Sequence, residues 1–193
     1  ALFRRGVSLV ASSSRGVLPL ESVPNFSEGR DAATIEAIAS ALSQGVRLLD
    51  VHSDPDHHRS VFTVVGEDGP LVEALVGSVE VARDRIDLAR HEGAHPRIGA
   101  ADVVPLVPLK PADMERAKAA ARELGGRLGE LGLPVFLYGE LSPDRGPAFF
   151  RRGGTEELAA RLADGLTPDF GPGELHPTAG AVIVGVRRPL IAL

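Results

Sequence analysis

The sequence predicts an α/β (α+β) fold: a ferredoxin-like split βαβ core whose mixed sheet is extended by extra strands and helices. Three observations predict it. The spacing of apolar residues alternates repeatedly between the period of strands and the period of helices. The first elements follow the order β-α-β-β-α-β, which places two helices on one face of an antiparallel sheet. With 44% apolar residues but only 4% aromatic ones, the core is expected to be mainly aliphatic.

The first four elements are short apolar patterns bounded by turn residues. Residues 18–24 are predicted to form a strand. Asp31 is expected to cap a helix that continues to Gln44, because its apolar residues recur at helical spacing. Residues 46–51 and 60–66 are rich in β-branched residues, and the polar stretch between them contains an Asp-Pro pair that favours a turn. These two strands are therefore expected to pair in antiparallel orientation.

The remaining elements follow the same logic. A helical stripe marks a second helix, and it comprises Leu71, Leu75, Val79, Ala82 and Ile86. A long loop over 89–101 then leads to a strand at 102–108. Further helices are predicted at 112–131 and 156–163, and further strands at 135–138 and 180–186. These later elements are expected to extend the sheet at its edge.

Composition excludes several classes of function. The formal net charge of −5 lacks the positive surface that binders of the phosphate backbone need, so no nucleic-acid partner is expected. Cysteine is absent, which excludes disulfides, thiolate metal ligands and a cysteine nucleophile. No run of apolar residues approaches the length of about 18 that a membrane span requires, so no membrane partner is expected.

The first twenty residues differ from the rest of the chain. They contain Arg4, Arg5 and Arg15, three consecutive serines and no acidic residue. This composition occurs in organellar transit peptides, and an upstream extension explains it equally simply. We expect residues 1–20 to be a disordered extension or remnant and residues 21–193 to form one domain of a cytoplasmic protein.

The stretch DVHSDPDHHR at 50–59 holds three of the six histidines and three aspartates. Imidazole and carboxylate together suit a divalent metal. However, the spacing matches no ligand motif such as H-E-x-x-H, and a solvated turn has the same composition. A metal-dependent hydrolase centred here is therefore an alternative, while the main interpretation expects no metal.

The loop RHEGAHPR places His95 between Arg90 and Arg97. Neighbouring cations disfavour the imidazolium form, so the ring is expected to be neutral near pH 7 and to accept a proton. Arginine also matches the two oxygens of a carboxylate with parallel N–H donors. In the alternative, His95 is an ordinary loop histidine and the arginines pair with Glu92 or Asp102.

A further segment, PDFGPGELHPTAG at 168–180, is rich in glycine and proline. Glycine permits close approach of a flat ligand to the backbone, and proline stiffens the loop. No phosphate-binding motif is present, so no nucleotide cofactor is predicted. The alternative is a structured connection into the last strand.

Five blocks in order resemble the formiminotransferase N-terminal subdomain of the glutamate formimidoyltransferase (formiminotransferase-cyclodeaminase) family. The blocks are VPNFSEGR (23–30), LLDV with DPDHHRSV (48–51 and 54–61), HEGAHPRIGAADVVP (91–105), LPVFLYGE (133–140) and PDFGPGELHPTAG (168–180). The resemblance covers most of the chain after residue 21.

The resemblance implies transfer of a formimino group from N-formimino-L-glutamate to tetrahydrofolate, the co-substrate, in histidine degradation and one-carbon metabolism. It implies that His95, in the G-x-H-P-R block, is the acid–base residue, and that one segment contacts folate. That segment comprises Gly171, Pro172, Gly173, Glu174, Leu175, His176, Pro177, Thr178, Ala179 and Gly180. We also expect Arg59, Arg90 or Arg97 to hold the carboxylates of formiminoglutamate or of the folate tail.

The chain departs from the family pattern at two positions. Ala94 stands where the family usually has Glu, and His58 where it usually has Asn. The family's transferase also has a second subdomain after the last strand, and the folate site lies between the two subdomains.

The sequence leaves two main hypotheses. In the first, the chain is a formimidoyltransferase that is part of a longer enzyme or completes its site by self-association. In the second, it is a non-catalytic single-subdomain relative that binds folate or a protein partner. An edge left open without the second subdomain is expected to favour a homo-oligomer, as a symmetric dimer.

Overall fold

The computed structural model describes residues 17–90 and 97–189, which form a seven-stranded mixed sheet with five α-helices. The strands are β1 (Leu20–Ser22), β2 (Asn25–Phe26), β3 (Arg47–Asp54), β4 (Arg59–Gly66), β5 (Ala101–Pro108), β6 (Val135–Gly139) and β7 (Val182–Val186). The helices are α1 (Ala32–Leu42), α2 (Asp68–Arg85), α3 (Met114–Glu130), α4 (Pro147–Arg151) and α5 (Gly154–Ala163). Most of the predicted extension, and His95, lie outside the described residues.

The antiparallel half of the sheet confirms the predicted split βαβ arrangement. β3 pairs with β4, β4 pairs with both β1 and β2, and these two short strands pair with β5. The strand order through the core is therefore β3, β4, β1 with β2, and β5. The predicted first strand, 18–24, contains only β1. Pro24, which has no N–H to donate to a neighbouring strand, separates it from β2, a second short strand that the sequence did not predict.

Helices α1, α2 and α3 cover one face of the sheet. Ile38 of α1, Leu75 of α2 and Leu124 of α3 lie in one buried apolar cluster with Phe62 of β4 and Val104 of β5. Asp31 caps α1 as predicted, since its carboxylate accepts the backbone N–H of Ala33 at 3.1 Å. The core is thus aliphatic over most of its extent, with a few phenylalanines.

The later elements extend the sheet beyond β5, as predicted. β7 pairs with β5, and β6 pairs with β7, all in parallel orientation. Helices α4 and α5 cover the opposite face of this half with a second cluster that includes Phe136, Phe150 and Leu158. The sequence did not predict α4, because a helix of five residues is too short to show a helical period.

No helix among residues 17–90 and 97–189 combines the length and apolar character that a bilayer crossing requires.

Candidate functional site

The loop after β2 packs closely against the turn of the β3–β4 hairpin. A Cβ atom at Gly29 would lie 2.3 Å from the carbonyl oxygen of Asp54 and 2.5 Å from the backbone nitrogen of Arg59, so this approach requires glycine. Arg30 Nε donates a hydrogen bond of 2.9 Å to the carbonyl oxygen of Pro55. The loop and the hairpin turn therefore form one structural unit.

His58 occupies a left-handed backbone position in this turn, with φ of +48°. Its Nδ1 accepts the backbone N–H of Gly29 at 3.1 Å and lies 3.4 Å from Glu28 Oε1. Burial lowers the pKa of the His58 imidazole by more than the neighbouring Glu28 carboxylate raises it. The neutral ring, with Nδ1 as acceptor, is the form that this environment favours.

Arg97 connects the same turn to the segment that leads into β5. Its Nη1 donates to the carbonyl oxygen of His58 at 2.9 Å, and its Nη2 donates to that of His57 at 2.8 Å. Burial lowers the pKa of the Arg97 guanidinium, the Asp102 carboxylate raises it in part, and the nearby cations of Arg59 and Arg30 lower it again. Three arginines are thus close enough to interact electrostatically, an arrangement that suits an anionic ligand.

The three predicted arginines do not all lie together. Arg59 begins β4 opposite Asp54, within the group that includes Arg97. Arg90 ends a short 3₁₀ turn, has a side chain that is 88% exposed, and pairs with Asp87 at 3.4 Å. Asp102, which the sequence offered as an alternative partner of these arginines, forms an ion pair with Arg151 and also interacts electrostatically with Arg97. Arg30 was not predicted as a site residue, because its position beside a helix cap carries no signal of the distant turn that it contacts.

The glycine- and proline-rich segment is held at both ends by glycines with positive φ. A Cβ atom at Gly171 would lie 2.1 Å from the carbonyl oxygen of Leu133, and one at Gly180 would lie 2.1 Å from that of Ile98. Between them, the backbone groups of His176 and Gly180 exchange two hydrogen bonds, of 3.0 and 2.9 Å. The end of the segment is therefore a tight turn of fixed shape.

A cavity of about 210 Å³ opens beside this turn. Its walls are Leu88 and Ala89, Thr155 at the start of α5, and the turn residues Leu175, His176, Pro177 and Gly180. The second half of the segment that is predicted to contact folate therefore faces this cavity.

The backbone before residues 91–96 and the backbone after them are both hydrogen-bonded to the same turn. Before that segment, Leu88 N–H donates to the carbonyl oxygen of Thr178 at 2.8 Å. After it, Ala100 N–H donates to the carbonyl oxygen of Ala179 at 2.9 Å, and the carbonyl oxygen of Ile98 accepts the N–H of Ala181, the residue that follows the turn, at 2.8 Å. The predicted catalytic residue His95 belongs to 91–96 and lies outside the described residues.

Across the described ranges, no group of three or more histidine, aspartate or glutamate side chains is arranged to hold a metal ion. In the stretch DVHSDPDHHR, His57 Nδ1 lies 2.6 Å from Asp54 Oδ2. Asp54 Oδ1 accepts the backbone N–H groups of Asp56 and His57, at 3.0 and 2.9 Å. Through these contacts the Asp54 side chain stabilises the turn between β3 and β4.

Fold and site together define an α+β domain that gathers its polar loops at one end of the sheet. Residues 19–187 match the sequence model of the formiminotransferase domain, N-terminal subdomain. The chain therefore belongs to this family.

The chain is also similar in sequence to individual proteins whose names include formimidoyltransferase. The chain is 41% identical over 180 residues to the glutamate formimidoyltransferase of Streptococcus pyogenes serotype M1 and 43% identical over 182 residues to that of Thermoplasma acidophilum. It is 42% identical over 181 residues to the formimidoyltransferase-cyclodeaminase of Sus scrofa. Each match covers 90% of this chain, but only 60%, 60% and 33% of the respective relatives. The chain thus spans less than two thirds of the length of these proteins.

Proposed function

We propose that this domain takes part in the transfer of a formimino group from N-formimino-L-glutamate to tetrahydrofolate, a step of histidine degradation and one-carbon metabolism, with His95 as the acid–base residue. Membership of the formiminotransferase family supports the reaction type. The observation that carries the assignment to this site is the attachment of both flanks of residues 91–96 to the rigid turn at 176–180.

Folate, the co-substrate, is assigned to the segment from Gly171 to Gly180. The cavity beside its second half combines apolar walls from Leu88 and Leu175 with the hydroxyl-bearing Thr155. Mostly apolar walls with a few fixed polar groups are the usual environment for a flat heterocycle. The hydrogen bonds within the turn hold these backbone groups before the ligand arrives, which lowers the entropic cost of binding.

The proposed reaction needs one group that moves two protons. N5 of tetrahydrofolate attacks the formimino carbon and loses a proton as the new C–N bond forms. The bond from that carbon to the glutamate nitrogen then breaks, and this nitrogen gains a proton as it leaves. A neutral imidazole at position 95 can accept the first proton and donate the second, which typically contributes about 10²- to 10⁴-fold in rate.

Arg59 and Arg97 are proposed to hold the carboxylates of formiminoglutamate or of the folate tail, with Arg90 as the third candidate. Arg59 and Arg97 lie close to each other, which supports the assignment of these two residues to the carboxylates. The acidic composition of the chain supports the absence of a nucleic-acid partner and is compatible with the proposed cytoplasmic location.

The alternative function is binding of folate or of a protein partner without turnover. Ala94 favours it, because the carboxylate usual at this position could orient the imidazole or stabilise a cationic intermediate. The missing carboxylate would lower the rate of transfer and leave the folate turn intact.

Two measurements on the full chain separate these functions. The chain is incubated at several concentrations with formiminoglutamate and tetrahydrofolate, and release of glutamate is measured; a reduced folate is then titrated by calorimetry. Transfer together with binding supports the proposed enzyme. Binding without transfer at any concentration supports the alternative, and the absence of both contradicts the assignment of this site.

A further inference from the structure

The imidazole of His176 is held by the turn in which it lies. Its Nδ1 accepts the backbone N–H of Ala179 at 3.1 Å and, more weakly, that of Thr178 at 3.4 Å. Ala179 is 2% exposed, so without the ring its buried N–H would lose this acceptor. Together with the two backbone hydrogen bonds between His176 and Gly180, these contacts fix the direction of the ring.

These contacts also decide which nitrogen of the His176 ring carries the hydrogen. A neutral imidazole has one N–H donor and one acceptor nitrogen, and the bond made by one nitrogen sets the state of the other. A hydrogen on Nδ1 would face the N–H groups of Thr178 and Ala179, so Nδ1 is the acceptor and Nε2 is the donor. Within residues 17–90 and 97–189 the structure gives Nε2 no hydrogen-bond partner.

The cavity beside the turn surrounds this donor with apolar groups. His176 and Thr155 are the two lining residues with polar side chains, and none of the described lining residues is charged. The other walls include Leu88, Leu175 and Pro177. In such a cavity a few fixed polar groups orient the ligand and decide specificity. The cavity therefore suits the neutral ring of a folate and not the carboxylates of its tail.

The pterin ring of tetrahydrofolate offers one carbonyl oxygen to such a donor. The carbon that bears this oxygen is bonded to the ring carbon that carries N5, the amine that attacks in the proposed reaction. A hydrogen bond to the oxygen therefore orients N5 as well. An amino group in place of the oxygen would turn N–H towards N–H and leave the donor of His176 without an acceptor.

We propose that His176 is a specificity-determining residue of the folate cavity, and that its Nε2–H donates to the ring carbonyl oxygen of the reduced pterin. The inference rests on the proposed assignment of folate to the segment from Gly171 to Gly180. It adds the chemical group that the cavity selects, which is an oxo group at this ring position in preference to an amino group.

Two substitutions separate the donor from the turn. In His176→Asn the side-chain oxygen can still accept the N–H of Ala179, as in an Asx turn, but no atom takes the place of Nε2. In His176→Ala the acceptor and the donor are both lost. We expect His176→Asn to unfold within a few degrees of the wild type and His176→Ala to unfold at a lower temperature.

The ligand pair that isolates the oxo group is tetrahydrofolate and its 4-amino analogue, tetrahydroaminopterin. Both are titrated into the full chain by calorimetry without oxygen. The wild type is expected to bind tetrahydrofolate about 10-fold more tightly than the analogue, or better. In His176→Asn this ratio is expected to fall to about 3-fold or less, because the donor that distinguishes the two ligands is gone. His52→Asn is the matched control: the same substitution at an exposed histidine of β3 is expected to keep the wild-type ratio.

A measurement without ligand tests the state of the ring. The ring nitrogen signals of the full chain are recorded by NMR at about pH 8, where an ordinary imidazole is neutral. The signals of His176 are assigned through His176→Asn, and hydrogen on Nε2 is expected. Hydrogen on Nδ1 would overturn the inference, as would a ligand ratio that is the same in the wild type and in His176→Asn. If the wild type binds neither ligand, the folate assignment fails and the inference with it; if it binds tetrahydrofolate with a ratio that does not depend on His176, the inference alone fails.

Discussion

Arg97 illustrates how a single side chain joins two distant parts of this site. Its guanidinium holds the carbonyl oxygens of His57 and His58, about forty positions earlier in the chain, while its backbone adjoins the segment that contains His95. The sequence predicted that Arg97 could bind a substrate carboxylate. It did not predict the contacts of Arg97 with the turn, because they depend on the pairing of strands that are far apart in sequence.

Alanine substitution of the arginines tests the assignment of the substrate carboxylates. Arg59→Ala and Arg97→Ala are each expected to weaken binding of formiminoglutamate by about 10-fold or more, since a charge-assisted hydrogen bond to the carboxylate is lost. Arg90→Ala is expected to have a smaller effect because that side chain is 88% exposed and pairs with Asp87. Calorimetric titration measures all three, and unchanged affinity in every variant would refute the carboxylate site.

His58 is expected to make the stability of the domain depend on pH. Its pKa is lowered from 6.5 in the folded state, mainly by burial, so the unfolded chain binds a proton more readily than the folded one. This contribution to stability is complete above about pH 6.5 and is lost as the pH falls through the folded-state pKa.

The substitution His58→Asn isolates this effect. Asparagine tolerates the left-handed φ and does not titrate in this range. The midpoint of thermal unfolding is expected to fall less in His58→Asn than in the wild type between about pH 8 and about pH 5. Parallel curves for the two proteins would show that His58 does not titrate as described.

At the scale of elements, the split βαβ order was predictable because each element is long enough to show its own apolar period. The exceptions are short or interrupted. α4 has five residues, and β1 and β2 are separated near Pro24. The juxtaposition of the polar loops was not predictable, since it rests on contacts such as that between Ser27 and Gly99, 72 positions apart.

The turn at 176–180 is the element on which the folate assignment depends. Gly180 has φ of +67°, and a Cβ there would meet the carbonyl oxygen of Ile98 at 2.1 Å. Gly180→Ala is therefore expected to lower the free energy of unfolding by more than about 1 kcal/mol and to weaken binding of a reduced folate. Gly146 lies outside the segment assigned to folate, and a Cβ atom added there would have no neighbouring atom within 4 Å. Gly146→Ala is thus the matched control. Urea unfolding and calorimetric titration with a reduced folate measure both variants, and equal effects of the two substitutions would contradict the role of this turn.

At the scale of the whole molecule, β3 lies at the edge of the sheet. In the part of the chain that the structure describes it pairs only with β4, and Leu49 and Val51 are 49% and 39% exposed. Edge strands with exposed apolar side chains pair readily with further chains. This arrangement agrees with the homo-oligomer expected from the sequence, which stays a prediction.

Self-association is expected to increase with concentration and to involve this edge. Gel filtration with light scattering at several concentrations would show a dimer, and Val51→Lys would shift the equilibrium towards the monomer because a charge at a strand edge opposes pairing. Leu109→Lys is the control, since Leu109 is similarly exposed, at 40%, but follows β5. A monomer at every concentration, or equal effects of the two substitutions, would contradict association through β3.

The imidazole of His95 is proposed to carry the proton transfers of formimino transfer in this domain. The most direct measurement compares the rate of glutamate release from formiminoglutamate, with tetrahydrofolate present, in the wild type and in His95→Ala, together with thermal unfolding of both. The rate is expected to fall by about 10²- to 10⁴-fold or below detection, while the unfolding temperature stays nearly unchanged because the sequence predicts a loop at His95. Turnover that survives in His95→Ala, or a variant that no longer folds, would contradict it.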